Sequence, residues 1–188
     1  MNGVPMSQLK EIHLRESVEA FFSEHGFVTF TEVRMMNRWV DLVAVGNGDV
    51  VAIELKLENW RQAIRQAVAY QLGADLSVVA MPLGKAIDAY RNRYYFRKEG
   101  IGLLGVRVRT PEVRVLIEPD PSLRMMPSIR DSLFDVLVFE GETVIMPRSS
   151  RHIRERNLEL EFTDAENYEP PSEADENDRS SGGRWTSS

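Results

Sequence analysis

Residues 38–60 read RWVDLVAVGNGDVVAIELKLENW. Two β-rich runs, Trp39–Val45 and Val50–Leu57, flank Gly46-Asn47-Gly48-Asp49. Asn-Gly between such runs is a strong short-range hairpin signal, because a two-residue type I′ turn needs positive φ at both central positions. With Asn47-Gly48 as that turn, Gly46 faces Asp49, Val45 faces Val50 and Val43 faces Ala52. One more step in register sets Asp41 against Glu54. Directly opposed residues share a face with Cβ atoms roughly 5 Å apart. Period-two alternation adds Lys56 to the side of Glu54. The hairpin thus predicts two carboxylates and an ammonium on one face of an otherwise apolar ribbon.

Outward from the hairpin, the chain alternates between helix and strand periods. Leu9, Ile12, Leu14, Val18, Phe21 and Phe22 recur at three- and four-residue intervals and predict a helix over 7–25, stopped by Gly26. Residues 27–33 (FVTFTEV) read as a strand. After the hairpin, a helix opens at Glu58 or Asn59, runs to Leu72 and closes at Gly73. LSVVAM (76–81) is a buried strand ended by Pro82. A further helix is predicted over 85–98, ended by Gly100, and strands over 101–108 and 113–117. Residues 120–146 suggest a short helix and one late strand. The expected class is α/β, an αβββαβ core with a mixed central sheet flanked by helices and extra C-terminal strands.

Two opposed carboxylates repel, and an inert sheet would avoid them. A hard divalent cation removes the conflict, and oxygen ligands with retained waters suit Mg²⁺. An ammonium alongside can orient a metal-bound water or stabilise charge on a phosphate oxygen. That is equipment for metal-assisted phosphodiester hydrolysis. Glu54-Leu55-Lys56 is also the only acid-x-Lys triplet in the chain.

Asp41, twelve intervening residues, then Glu54-Leu55-Lys56, on a hairpin between a glutamate-bearing helix and a helix-strand pair, resembles the PD-(D/E)XK nuclease superfamily. The local text is similar to the core of its restriction-endonuclease-like and Holliday-junction-resolvase-like members. The resemblance covers about residues 11–82. It departs at Val40, where the motif name has proline. It implies a restriction-endonuclease-like core, a Mg²⁺ site in which Mn²⁺ can substitute, and cleavage of a nucleic-acid backbone, DNA by preference. Asp41 would be the central metal ligand, Glu54 the second ligand and Lys56 the catalytic lysine. The first helix would lend a further glutamate ligand, with Glu16 the best match and Glu19 the alternative. Gln66-Ala-Val-Ala-Tyr70 is similar to the QxxxY motif of the exonuclease-type branch, which implies roles for Gln66 at the site and Tyr70 near the site or the strand. Many members work as dimers, so a homodimer is implied, with 101–146 as the region to supply an interface. The alternative is a non-cleaving module that binds nucleic acid or protein on the same fold.

Composition bounds these readings. With no cysteine, disulfide scaffolds, thiolate zinc sites, iron–sulfur clusters and cysteine nucleophiles are excluded. Three scattered histidines, His13, His25 and His152, argue against a multi-histidine metal site. No apolar run approaches the roughly 20 residues of a membrane helix. MNGVPMSQLKEIHLRE lacks a basic segment followed by an apolar one, so the expectation is a cytoplasmic protein without membrane partners.

The net charge of −6 is unevenly placed. From Thr163 onward there are seven acids and two arginines, which leaves 22 acids and 21 bases in the rest. Residues 1–146 are therefore expected to form the domain, 147–162 a basic linker or short helix containing RSSRHIRER (148–156), and 163–188 an acidic disordered tail. DNA affinity would need a local basic surface drawn from Arg34, Arg38, Arg61, Arg65 and the 148–156 run. The acidic tail would compete with DNA for that surface. Among other candidates, Trp39 reads as packing. Tyr90, Tyr94, Tyr95 and Phe96, interleaved with arginines, read mostly as sheet-facing aromatics. GIGLLG (100–105) begins a strand and so is no phosphate loop. His25 reads as a helix-end group.

Overall fold

The computed structural model describes residues 10–108, 110 and 112–139. Within them the order is α1 (Glu11–Glu24), β1 (Val28–Met35), β2 (Arg38–Gly46), β3 (Asp49–Leu55), α2 (Trp60–Tyr70), β4 (Leu76–Pro82), α3 (Leu83–Tyr90), α4 (Arg93–Glu99), β5 (Gly102–Arg107), β6 (Glu112–Ile117) and α5 (Pro127–Phe139). The strands form one mixed sheet in the order β1-β2-β3-β4-β5-β6. β1 to β3 pair antiparallel, β3, β4 and β5 run parallel, and β6 returns antiparallel to β5. The late strand expected before residue 146, the 148–156 run and the acidic stretch lie outside the described residues. No helix of the described residues is long and apolar enough to cross a membrane.

The hairpin forms as its turn residues dictate. Asn47 and Gly48 both take positive φ, 53° and 91°, the backbone that a type I′ turn needs. The register runs Gly46↔Asp49, Val45↔Val50, Val43↔Ala52 and Leu42↔Ile53. Asn59 then starts α2 from a left-handed backbone (φ 33°), its side chain accepting from the Gln62 amide at 3.2 Å. Gly100 ends α4 at φ 68°. His25 caps α1, with Nδ1 2.6 Å from the Phe21 carbonyl.

The helix expected over 85–98 is two helices. Asn92, which competes for backbone hydrogen bonds and disfavours helix interiors, sits at the break. Its amide donates to Ala89 O at 2.8 Å and its carbonyl accepts from Tyr95 N at 3.0 Å. The break turns Phe96 fully inward and leaves Tyr94 and Tyr95 exposed, so two of the aromatics expected to face the sheet do not.

Each face of the sheet has its own core. Leu14, Val18 and Phe22 of α1 pack on Leu42, Ala44, Val51, Ile53, Leu55, Val78 and Ala80. On the other face Tyr70, Leu133 and Leu137 meet Val43, Val45, Val50 and Ala52, while Ala63, Ile64, Ala67, Ala86, Ala89 and Phe96 meet Val79, Met81 and Leu103. The alternation slips once, in both β1 and β2. Phe30 and Val33 belong to the same cluster, as do Val40 and Val43, although the members of each pair are an odd three positions apart. Thr31↔Leu42 and Val33↔Val40 pair normally, but the rung between them, Glu32 opposite Asp41, is missing from the ladder. Glu32 takes φ 53° there.

Candidate active site

Asp41 lies where β2 and β3 part. Their ladder ends at Leu42↔Ile53, and β3 continues against β4 through Glu54↔Val79 and Leu55↔Ala80. The Leu55 amide, left without a β2 carbonyl, donates to Asp41 Oδ2 at 2.8 Å. A side chain has taken a backbone group's place, which fixes the carboxylate at the strand end. Burial raises the Asp41 pKa against that hydrogen bond, and nearby Glu11 raises it further, while Lys56 and Arg15 pull it down.

Glu54 is the most deeply buried acid of the described residues, 1 % exposed on an apolar strand. Both its oxygens are engaged. Tyr70 Oη lies 2.6 Å from Oε2 and Lys56 Nζ lies 3.3 Å from Oε1. Desolvation dominates nonetheless, and with the Asp41 charge pushes the Glu54 pKa up to about 7, although Tyr70 and Lys56 both oppose it. Tyr70 also lies 3.1 Å from the Trp39 carbonyl. A phenol has one proton to give, so the shorter contact to Glu54 takes it when Glu54 is ionised. The same environment pushes the Tyr70 pKa up and keeps the phenol a donor.

Lys56 follows β3 directly, its amide extending the parallel ladder to Ala80 O at 3.0 Å. Its ammonium bridges Glu54 and Glu11 Oε1, the latter at 3.5 Å. Partial burial pulls its pKa down, but these two carboxylates, with Asp41, outweigh burial and hold it above the ordinary value. Lys56 is therefore a cation here and not a base.

The sequence-predicted residues are partly brought together. Asp41, Glu54, Lys56 and Tyr70 meet. Gln66 is half-buried on α2, one turn before Tyr70, and its Oε1 is shielded from solvent without a partner among the described residues. Glu16 is exposed and Glu19 half-buried, and among the described residues neither makes a hydrogen bond or ion pair. The first helix instead presents Glu11. Leu14, Val18 and Phe22 mark the inward stripe of α1, and stepping back three residues from Leu14 lands on Glu11. That continuation of the stripe was the signal available in the sequence. Arg15 and Glu32, joined at 3.2 Å, were likewise not expected near the site.

Arg38 is exposed at the start of β2, close enough for its charge to act on Tyr70. Arg61 and Arg65 lie elsewhere. With Trp60, Ile64, Val68, Tyr95 and Glu99 they line a groove of about 400 Å³ that includes none of the three charged site residues. Arg61 stacks over Trp60 at 4.2 Å. The backbone N–H of Gln62 is spent on the α2 cap.

As a donor set, Asp41 and Glu54 offer oxygen only, from adjacent strands, with no protein partner on Asp41 Oδ1 among the described residues. No group of three or more acidic or histidine side chains that could hold a metal ion occurs among the described residues. Two carboxylates nevertheless match Mg²⁺, which is commonly bound through one or two and keeps several waters. A cation there would also relieve the burial and repulsion that raise both pKa values.

No family model and no curated protein matches the chain. Among solved structures, the chain is similar to SPO1766, a protein of unknown function from Silicibacter pomeroyi. Their TM-score is 0.55 and identity 20%, covering 71% of this chain and 87% of that chain. AF1548, also a protein of unknown function, gives a TM-score of 0.38 at 21% identity over 49% of this chain and 56% of its own. The likeness to SPO1766 is one of fold: a mixed α/β sheet flanked by helices.

Proposed function

We propose that the chain is a metal-dependent nuclease with a restriction-endonuclease-like core, hydrolysing phosphodiester bonds in DNA. One observation carries the reading: a buried glutamate, placed beside a second carboxylate, is held by a tyrosine and a protonated lysine instead of being replaced by an apolar side chain. Buried charges do not generally improve stability over apolar packing, so this cluster needs a purpose other than folding. Groups strongly perturbed by burial and by one another, gathered at a strand end, are what catalytic sites require. The order α1-β1-β2-β3-α2-β4 agrees with the αβββαβ core of the superfamily that the hairpin motif resembles.

Asp41 and Glu54 would hold Mg²⁺ or Mn²⁺, and the bound metal would supply Lewis acidity towards water and a phosphoryl oxygen. The chain's own part is orientation and charge. The Leu55 amide and Tyr70 fix the two carboxylates. Lys56, charged at neutral pH, sits where it can steady the attacking water or the negative charge growing on phosphorus-bound oxygen. Water attacks phosphorus, the ester bond to the leaving oxygen breaks, and that oxygen departs with a proton.

A non-cleaving binding module is the second reading. It is favoured by the absence of a third ligand among the described residues and by the full engagement of Glu54. Fluorescent DNA and RNA, as single strands, duplexes and junctions, incubated with the full chain and Mg²⁺ or Mn²⁺, separate the two. Cleavage abolished by chelator, by Asp41→Ala and by Lys56→Ala supports the nuclease. Binding without cleavage in any form supports the module.

A further inference from the structure

We infer that Arg15, steered by Glu32, forms an anion subsite beside Lys56 that takes a non-bridging oxygen of the scissile phosphodiester. The inference rests on the proposed nuclease reading and deepens it by adding the group that receives the substrate's charge.

Three contacts locate Arg15. It stands one turn beyond Glu11 on α1, and residues four apart share a helix face. Glu11 touches Lys56 Nζ at 3.5 Å. Arg15 Nη2 bonds Glu32 Oε1 at 3.2 Å. Glu32 occupies the missing rung opposite Asp41, between the pairs Thr31↔Leu42 and Val33↔Val40. Arg15 is therefore bracketed by Lys56 on one side and the Asp41 rung on the other. It is near enough for its charge to act on the Asp41 carboxylate.

The guanidinium is under-used. It carries five donors in a rigid fork, and among the described residues only the bond to Glu32 is made. Its Nε is shielded from solvent and has no acceptor among the described residues. Nη1 likewise has no protein partner among the described residues, and the side chain keeps 22% of its surface exposed. An acceptor arriving beside Nη1 would find donors already pointed and charged.

A folding role accounts poorly for this pair. The Glu32 side chain is 70% exposed, and pairs in that setting contribute little to stability. Its backbone, at φ 53°, is in a region that a residue with a side chain enters at a cost. Two strands slip in step to create that rung. Strain kept at the position facing the central carboxylate, in exchange for an exposed ion pair, fits a residue kept to aim Arg15. Glu32 is thus a positioning residue, and Arg15 the group that touches substrate.

The ligand class follows from charge. A phosphodiester brings an anion towards two carboxylates, so cations must flank its path. Lys56 is one. Arg15 supplies a second on the α1 side, with fork geometry matched to phosphoryl oxygen.

The test uses the full chain with Arg15→Ala, Arg15→Lys and Glu32→Gln, measuring DNA cleavage with Mg²⁺, melting temperature, and the salt dependence of DNA binding in chelator. Arg15→Ala should lower kcat by ~10²-fold or more with little change in melting temperature. The slope of log affinity against log salt should fall by about one. Arg15→Lys should recover part of kcat, because charge is kept and the fork lost. Glu32→Gln should lose less than Arg15→Ala. Wild-type kcat and slope in Arg15→Ala would overturn the subsite while leaving the nuclease standing. A wild type that binds but never cuts, with the slope still reduced in Arg15→Ala, would remove the nuclease and keep the subsite. A wild type that neither binds nor cuts would remove both.

Discussion

Tyr70, the last residue of α2, donates a hydrogen bond from its phenol to Glu54 on β3 across 2.6 Å. The contact joins helix and sheet at the one buried acid of the site, and it opposes the rise of that acid's pKa. Tyr70→Phe should therefore push the Glu54 pKa above about 7 and weaken metal binding at neutral pH. Buried Glu54 Oε2 is then left without its donor, so stability should fall by ~1–3 kcal/mol, the usual cost of orphaning a buried polar group. Carboxyl carbon NMR of Glu54 across pH 4–9 reads the first effect and denaturant melts the second. A Glu54 pKa unchanged in Tyr70→Phe would show that the phenol does not control it.

Glu54 also makes stability depend on pH, with a definite sign. Its carboxyl is raised from 4.5 to about 7 on folding. A group that holds its proton more tightly in the folded state favours folding at low pH. That advantage is lost as pH rises from about 4.5 to about 7. Above this window the folded protein carries a charge it would rather not bury. Glu54→Gln removes the charge and keeps the shape. It should raise stability at pH 8 by ~1–3 kcal/mol, taking the shift at 1.36 kcal/mol per pKa unit as a ceiling. At pH 4 it should change little. Stabilisation equal at both pH values would mean that the glutamate is not strained by its charge.

A divalent cation should reverse that strain. Mg²⁺ or Mn²⁺ binding the folded state alone stabilises by about 2.7 kcal/mol at a hundred times its dissociation constant. The melting temperature should thus rise with added metal at pH 8, and Asp41→Ala should abolish the response. The response should also fade as pH falls below about 7, because proton and metal compete for Glu54. A wild-type melting temperature indifferent to both metals would leave Asp41, Glu54 and Lys56 as an ion network with no cation to hold.

The hairpin was legible because its signals are local. Asn47-Gly48 set the turn, and counting outward placed Asp41 near Glu54. The same local reading found the strand at 76–81 and the helix that ends in Tyr70. What it could not see was non-local. Leu55 gives its amide to Asp41 because β3 leaves β2 for β4, an event decided by the sheet and not by the hairpin text. The slip at Glu32 needs β1 and β2 together. Asn92 broke a helix whose apolar spacing alone read as continuous. Arg61 and Arg65 were expected in a basic surface around the site, yet α2 puts them in a groove that none of Asp41, Glu54 and Lys56 lines.

The first helix gives the sharpest comparison between sequence and structure. Glu16 was the sequence match for a helix-borne ligand, and the structure presents Glu11 to Lys56 instead. The two lie five residues apart, so they point in widely different directions around α1. Glu11→Gln removes one of the three carboxylates that hold the Lys56 ammonium above its ordinary pKa, so that pKa should fall. Because the Glu11 side chain is 46% exposed, the pair is worth at most ~1 kcal/mol, and the loss of cleavage rate should stay within about fivefold. Glu16→Gln should leave the rate unchanged. Parallel rate measurements on the two variants decide between them. A large loss in Glu16→Gln with none in Glu11→Gln would mean that α1 turns its other face to the site when substrate and metal are bound.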